Sequence, residues 1–218
     1  MRALLLLAAG AGCGGHPAPA DAGCTPSVLY LNRNGGTYDH GSFDSVALHH
    51  SVLLDGPRTL PAWPRDDQEW GLMTSCIRDG LAPFAVTVTE TEPTTPLHVE
   101  IVFTTAYWGT PAAETMVVPA SCLPEHQLEF VFSDALPPTY SRPCQMALIG
   151  YAEMTANLSP GDDCKDILNL GMDCVPVRTF LDETATCVDA NNQPIACRCG
   201  GTTEDPYQAL AAAHPACR

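Results

Sequence analysis

Cysteine content constrains this chain more than any other feature of its sequence. Eleven cysteines occur in 218 residues, and the ten that follow Cys13 form an even set. An even set is typical of disulfides in a protein that passes through an oxidising compartment, although the spacing leaves the pairing open. Six of the ten lie after residue 163, which predicts a C-terminal third that depends on cross-links more than on core burial. The disulfide candidates are Cys24, Cys76, Cys122, Cys144, Cys164, Cys174, Cys187, Cys197, Cys199 and Cys217.

A zinc cluster around Cys197-Arg198-Cys199 is the competing interpretation of the last cysteines. Zinc sites that use cysteine generally contain paired CxxC spacings, often with a histidine close by. This sequence has no such pairing and no histidine beside these two cysteines. We therefore expect disulfides here, and oxidised cysteines cannot act as nucleophilic thiolates.

The first residues predict export. "MRALLLLAAGAGC" combines one arginine, a short apolar run and small residues before Cys13, which together are typical of a secretory signal over residues 1–12. "AGAGC" is similar to the lipobox of bacterial lipoproteins, although Gly10 occupies the position that usually holds leucine, and this pattern predicts lipidation at Cys13. The alternative is ordinary cleavage near Ala18–Ala20 and release as a secreted protein. Residues 13–26 are then a linker.

Charge and hydrophobicity limit the partners and the number of domains. The formal net charge is −15, and such a surface repels nucleic acids and anionic lipid headgroups. Contact with a membrane is expected only through an N-terminal lipid. A hydrophobic fraction of 45% is ample for one core, so residues 27–218 are predicted to form a single domain. We divide it into a sheet-and-helix part over 27–160 and a cysteine-rich part over 161–218.

Hydrophobic periodicity predicts an α+β fold: a mixed twisted sheet with two packed helices, then an irregular disulfide-rich region and a terminal helix. The helix signals are acids after Pro64, with Trp70, Met73, Ile77 and Leu81 on one face, and an apolar run over 144–158. Asp205-Pro206 opens the last helix. The turn residues in 33–62 predict a long surface loop there. Strands are predicted in 27–32, 84–90, 97–104, 114–119 and 128–132.

This order of elements, with phrases such as "LYLNRNGGTY", "CIRDGLAPFAVTVTETEP", "DCKDIL" and "CRCGGTTEDPYQAL", resembles the zincin metallopeptidases of the metzincin, matrixin-like type, in secreted forms from predatory soil bacteria of the myxobacterial kind. The resemblance covers most of residues 27–218. It implies a helix that carries HExxHxxGxxH, in which two histidines and a third ligand bind zinc and the glutamate acts as general base.

The corresponding segment "AEMTANLSPGD" has lost this motif. The resemblance aligns Ala152 and Ala156 with the two histidines, and Asp162 with the third ligand. Glu153 aligns with the general base, and Ser159 with the glycine. No register supplies a histidine, so no metal ligand set is expected. Glu153 is then a vestigial general base or, alternatively, a solvent-facing helix carboxylate. The space beside the alanines is an empty cleft or is filled by neighbours such as Tyr151 or Met154.

Two functional hypotheses remain. The first is an exported metallopeptidase-like protein that has lost its zinc, has no cofactor, and acts by binding a protein or peptide. The second is an active metal-dependent endopeptidase with a non-standard site that uses Glu153, Asp162 and a distant histidine, or a hydrolase that needs no zinc. The sequence contains neither a GxSxG elbow nor a phosphate-binding glycine loop. The remaining candidate metal ligands are His40, His49, His50, His98 and His126.

Overall fold

The fold is taken from a computed structural model of the chain. It describes residues 27–105, 116–117, 127–132, 136, 139–170, 178–189 and 191–215. Several predictions lie outside these residues: the signal over 1–12, the linker, lipidation at Cys13, and four disulfide candidates. Those four are Cys24, Cys122, Cys174 and Cys217.

A five-stranded mixed sheet forms the centre of the described structure. Its strand order is β5-β1-β6-β8-β7, and all neighbours are parallel except the antiparallel pair of β7 and β8. The predicted mixed sheet is therefore confirmed. The strands are β1 (Ser27–Asn32), β5 (Val86–Thr89), β6 (Val99–Thr104), β7 (Met116–Val117) and β8 (Leu128–Phe132).

Both faces of the central strands are buried, as expected for parallel strands with cover on each side. One face packs against helices through Leu29, Ile101 and Val131. The opposite face contributes Val102 and Phe130 to a second cluster of buried side chains. Successive strand residues point to opposite faces, so β6 and β8 contribute to both clusters.

Helix α1 (Asp67–Leu81) confirms its prediction. The Asp66 side chain accepts a hydrogen bond from the Glu69 backbone N–H, which caps the first turn. Trp70, Met73, Ile77 and Leu81 are all buried in the helix-side cluster. The three- and four-residue spacing of these side chains explains why the sequence predicted both the helix and its buried face.

Helix α2 (Ser141–Ala156) also confirms its prediction, although it begins three residues before Cys144. Pro143 is accommodated because the first turn of a helix needs no donor from it. The helix ends where Asn157 takes a left-handed conformation with φ of 56°. A disulfide between Cys76 and Cys144 joins α2 to α1, and α2 also packs on β8 of the sheet.

Residues 33–62 differ from the prediction of a surface loop. They contain β2 (Gly36–His40), a 3₁₀ turn (Val46–Leu48), β3 (His50–Ser51) and β4 (Arg58–Leu60), and the strands form a small sheet. Tyr38, Leu54 and Leu60 pack there with the second face of the central sheet. The sequence shows the turn residues of this segment, but the apolar residues between them are too sparse to show the two-residue period of strands.

The C-terminal part is stapled, as predicted. Cys187 and Cys197 form a disulfide with each other. Cys164 takes part in a further disulfide, and so does Cys199. The described elements are β9 (Ala185–Thr186), β10 (Thr203–Glu204) and α3 (Pro206–Ala213), and α3 is capped by Asp205 as expected. No helix in the described ranges is both long and apolar enough to cross a bilayer.

Candidate functional site

Glu153 lies near the end of α2 in a buried ion pair with Arg198. Arg198 Nη2 donates to Glu153 Oε2 over 2.8 Å, and Arg198 Nη1 donates to the Glu153 carbonyl oxygen over 3.3 Å. Glu153 is only 5% exposed. The alternative of a solvent-facing carboxylate is therefore wrong. Burial raises the pKa of Glu153, and the adjacent guanidinium opposes that rise.

Arg198 is held in place by its neighbours in the chain. Cys197 forms a disulfide with Cys187, and Cys199 is also disulfide-bonded. The Arg198 backbone N–H donates to Ser159 Oγ over 2.7 Å. The Ser159 backbone N–H in turn donates to the Glu204 carboxylate. The cluster of Glu153, Ser159, Arg198 and Glu204 therefore fixes the disulfide-rich segment against the C-terminal end of α2.

A second buried carboxyl, Glu129 on β8, lies beneath the same helix. A Cβ atom at Gly150 would collide with the Glu129 carboxyl group, so the glycine allows helix and strand to approach closely. Neither Glu129 oxygen has a hydrogen-bond partner among the residues that the structure describes. Burial, followed by repulsion from Glu153, raises the Glu129 pKa well above its ordinary value. Both effects favour the protonated form of the Glu129 carboxyl.

The positions aligned with the zinc ligands form no group of ligating side chains with Glu153 among the described residues. Ala152 is fully buried in the helix-side cluster, so it does not line an open cleft. Ala156 is half-buried. Asp162 is exposed, and its carboxylate accepts from the Thr186 N–H over 3.1 Å. A histidine at residue 152 would have to displace core side chains, which costs about 1–3 kcal/mol in packed interiors.

The described residues do not fit a zinc ion at this site. Within the described ranges, a single group of three ligating side chains lies within 4.8 Å: Cys187, Cys197 and Glu204. The two sulfurs are bonded to each other, so they offer no thiolate. Glu153 has an arginine where a cation would be bound, and no imidazole takes part in either group.

Sequence reasoning missed three members of this site: Arg198, Glu129 and Glu204. Glu129 gave a signal, because it is the single charge in the apolar strand "LEFVF". A charge in such a strand needs either solvent or a special environment. Arg198 gave none, since its pairing with Glu153 spans 45 residues and depends on the path of the stapled segment.

Comparisons with known proteins give no relative: no protein family, curated protein or solved structure matches this chain. The fold and the residues around α2 therefore carry the functional argument.

Stability is expected to fall as pH rises, because five buried or partly buried carboxyls have raised pKa values. Each binds its proton more tightly in the folded protein, so the stabilisation is complete below the ordinary carboxyl pKa and is lost as pH rises through the raised values. Burial raises the pKa to about 6 for both Asp166 and Glu204. The other carboxyls with raised pKa values are Glu100, Glu129 and Glu153.

His214 opposes this trend, since burial lowers its pKa to about 4 and thereby removes stability as pH falls from 6.5 to that value. Five carboxyls outweigh one histidine. Urea unfolding is therefore expected to give a larger free energy of unfolding near about pH 5 than near about pH 8. A free energy that increases steadily over that interval would contradict the expectation.

Proposed function

We propose that this chain is an exported, metzincin-like protein that has lost its zinc ligands and binds a protein or peptide without cleaving it. The pairing of Glu153 with Arg198 carries this proposal. A general base must polarise a water molecule on the metal. Here the carboxylate at the aligned position is buried and accepts hydrogen bonds from a guanidinium.

The order of elements supports the comparison with metzincins. A strand, a helix, two strands, a short antiparallel edge strand and a further strand lead into α2, apart from the small sheet inserted after β1. The resemblance implies a motif-bearing helix at this position, after the last strand of the sheet. The helix is present and packed on that sheet, and the resemblance aligns its Ala152 and Ala156 with the two histidines.

The class of partner follows from the resemblance, because a peptidase fold without its metal retains surfaces shaped for an extended chain. The formal net charge of −15 favours a basic or neutral segment over an acidic one. Export, as the N-terminal sequence predicts, would expose the protein to other secreted or surface proteins.

Metal content tests the catalytic half of this proposal. Protein purified from an oxidising secretion host and dialysed against buffer is expected to retain far less than one zinc per chain. It should also leave a fluorogenic mixed-sequence peptide library uncleaved with zinc added. About one retained zinc, together with cleavage that a chelator abolishes, would instead support the active metallopeptidase with a non-standard site.

The binding half is tested with defined peptides in fluorescence anisotropy. Lysine-rich and glutamate-rich decamers of matched apolar content are compared. Binding of the lysine-rich peptide, with an intact peptide mass after prolonged incubation, is the expected result. Absence of binding by either peptide at high protein concentration, or a shortened peptide, would contradict the proposal.

A further inference from the structure

His214, at the end of α3, contacts both β1 and α2. Its Nδ1 lies 2.9 Å from Ser27 Oγ on β1, and its Nε2 lies 3.2 Å from the Tyr151 hydroxyl on α2. The imidazole stacks on the Tyr151 ring, with centroids 5.4 Å apart. The Ala85 N–H donates to the His214 carbonyl oxygen over 3.4 Å. The imidazole is therefore fixed in both position and orientation.

Ser27 and His214 border a cavity of about 230 Å³ at the amino ends of β1 and β6. Leu97 and Met154 supply apolar wall, while the Gln127 amide supplies a polar group. Ser27 is partly exposed and His214 is only 6% exposed. Ser27 is thus the more accessible of the two residues that line the cavity, while His214 is largely shielded from water.

We propose that Ser27 is a nucleophile, with His214 as its general base, toward esters of short acyl chains that enter this cavity. A nucleophile within hydrogen-bonding reach of a base, and a third group that orients the base, are the parts that covalent catalysis requires. The cavity size and its apolar wall favour a short acyl group over a peptide. This proposal does not depend on the peptide-binding function.

The reaction is an acyl transfer. Ser27 Oγ attacks the ester carbonyl carbon, and its proton passes to His214 Nδ1. The bond from that carbon to the leaving oxygen breaks, and the proton moves to the leaving alkoxide. Water, deprotonated by the same Nδ1, then releases the acid and restores Ser27. The productive tautomer of His214 has its proton on Nε2, which donates to the Tyr151 oxygen.

The groups around His214 determine how fast this reaction is expected to be. Burial lowers the His214 pKa to about 4, so the imidazole is neutral at physiological pH but a weaker base than an exposed histidine. The groups that face it are Ser27 from β1 and Tyr151 from α2, with His98 also lining the cavity. Neither of the two groups bonded to the imidazole is a carboxylate that would stabilise an imidazolium. Acylation is therefore expected to be slow, and hydrolysis of the acyl-enzyme by the same base slower still, so that one acyl group per chain accumulates.

The test uses p-nitrophenyl acetate and the intact, disulfide-bonded protein. One equivalent of p-nitrophenolate should be released, and peptide mass mapping should locate an acetyl group on Ser27. Ser27→Ala is expected to abolish this acetylation. His214→Gln should slow it by about 100-fold, the usual effect of losing a general base. Ser75→Ala, which removes an exposed serine on α1, is the control and should react as the parent does.

The pH dependence of the parent protein keeps the test decisive if a variant folds poorly. The acetylation rate, corrected for the spontaneous reaction, should be level above about pH 5.5 and should fall as His214 protonates near its lowered pKa of about 4. An inflection near the ordinary histidine value of about 6.5 would assign the reaction to an exposed histidine. That result, or acetylation that persists unchanged in Ser27→Ala, would overturn the proposal.

Discussion

Replacing both Cys76 and Cys144 by alanine is expected to lower the free energy of unfolding by roughly 4.4 kcal/mol, the value that loop-closure entropy gives for this span. The two cysteines are 68 residues apart and join α1 to α2, so the bond restricts a long stretch of the unfolded chain. Loss of this bond is expected to release the two helices that cover one face of the sheet. Urea unfolding monitored by circular dichroism measures the change.

The matched control is the double alanine variant of Cys187 and Cys197, whose disulfide spans 10 residues. The same reasoning gives a loss of roughly 2.7 kcal/mol for that bond. Peptide mapping must first establish that the other disulfides are unchanged in both variants. Equal losses in the two variants, or a larger loss in the control, would contradict a stabilisation governed by loop length.

Arg198→Met is expected to cost about 3–5 kcal/mol near neutral pH, the usual effect of breaking a buried ion pair from one side. The substitution leaves Glu153 buried beside the other carboxyls, Glu129 and Glu204, whose pKa values its charge already raises. Without the guanidinium, the Glu153 pKa rises further. Burying the unpaired group costs less when it is protonated, so the loss should be smaller near about pH 5 than near about pH 8.

A double-mutant cycle with Glu153→Gln and Arg198→Met isolates the interaction between the two side chains. We expect the double variant to be more stable than Arg198→Met alone, because it no longer buries an unpaired carboxylate. Arg78→Met is a suitable control, since Arg78 pairs with Glu90 at a much more exposed site, where the loss should be about 0–1 kcal/mol. A cycle with no coupling would mean that the Glu153–Arg198 contact has no energetic weight.

The regular elements were predictable because their signals are local. The Asp66 cap and the apolar spacing of α1 lie within 16 consecutive residues, and period-two alternation marks β6 in the same way. The small sheet over 33–62 was not predictable, since its strands are two to five residues long and are stabilised by packing on Phe130 and its neighbours. Strands that short carry no readable period.

In the candidate sites, too, some residues could be predicted from the sequence and others could not. Glu153 could be chosen from its position in an apolar helix, although its environment could not. Its partner Arg198 is 45 residues away, and His214 lies 187 residues from Ser27. Neither pair leaves a spacing pattern in the sequence. Contacts between residues so far apart in the chain depend on the order of the strands in the sheet and on where the disulfide-bonded segment packs.

The sequence by itself determined the helices, the strands of the central sheet and the disulfide-bonded C-terminal part. It also showed that the segment aligned with the metal motif has no histidine. These features could be read because periodicity, caps and composition act over short stretches of chain. Only the tertiary structure decided that Glu153 faces Arg198 and not solvent, and that Ser27 meets His214 beside a cavity. It also decided that Glu129 lies beneath Gly150 with no hydrogen-bond partner in the described part of the chain. The physical reason is that burial and charge pairing are properties of the packed chain: a carboxyl or an imidazole acquires its protonation state from neighbours that folding brings to it.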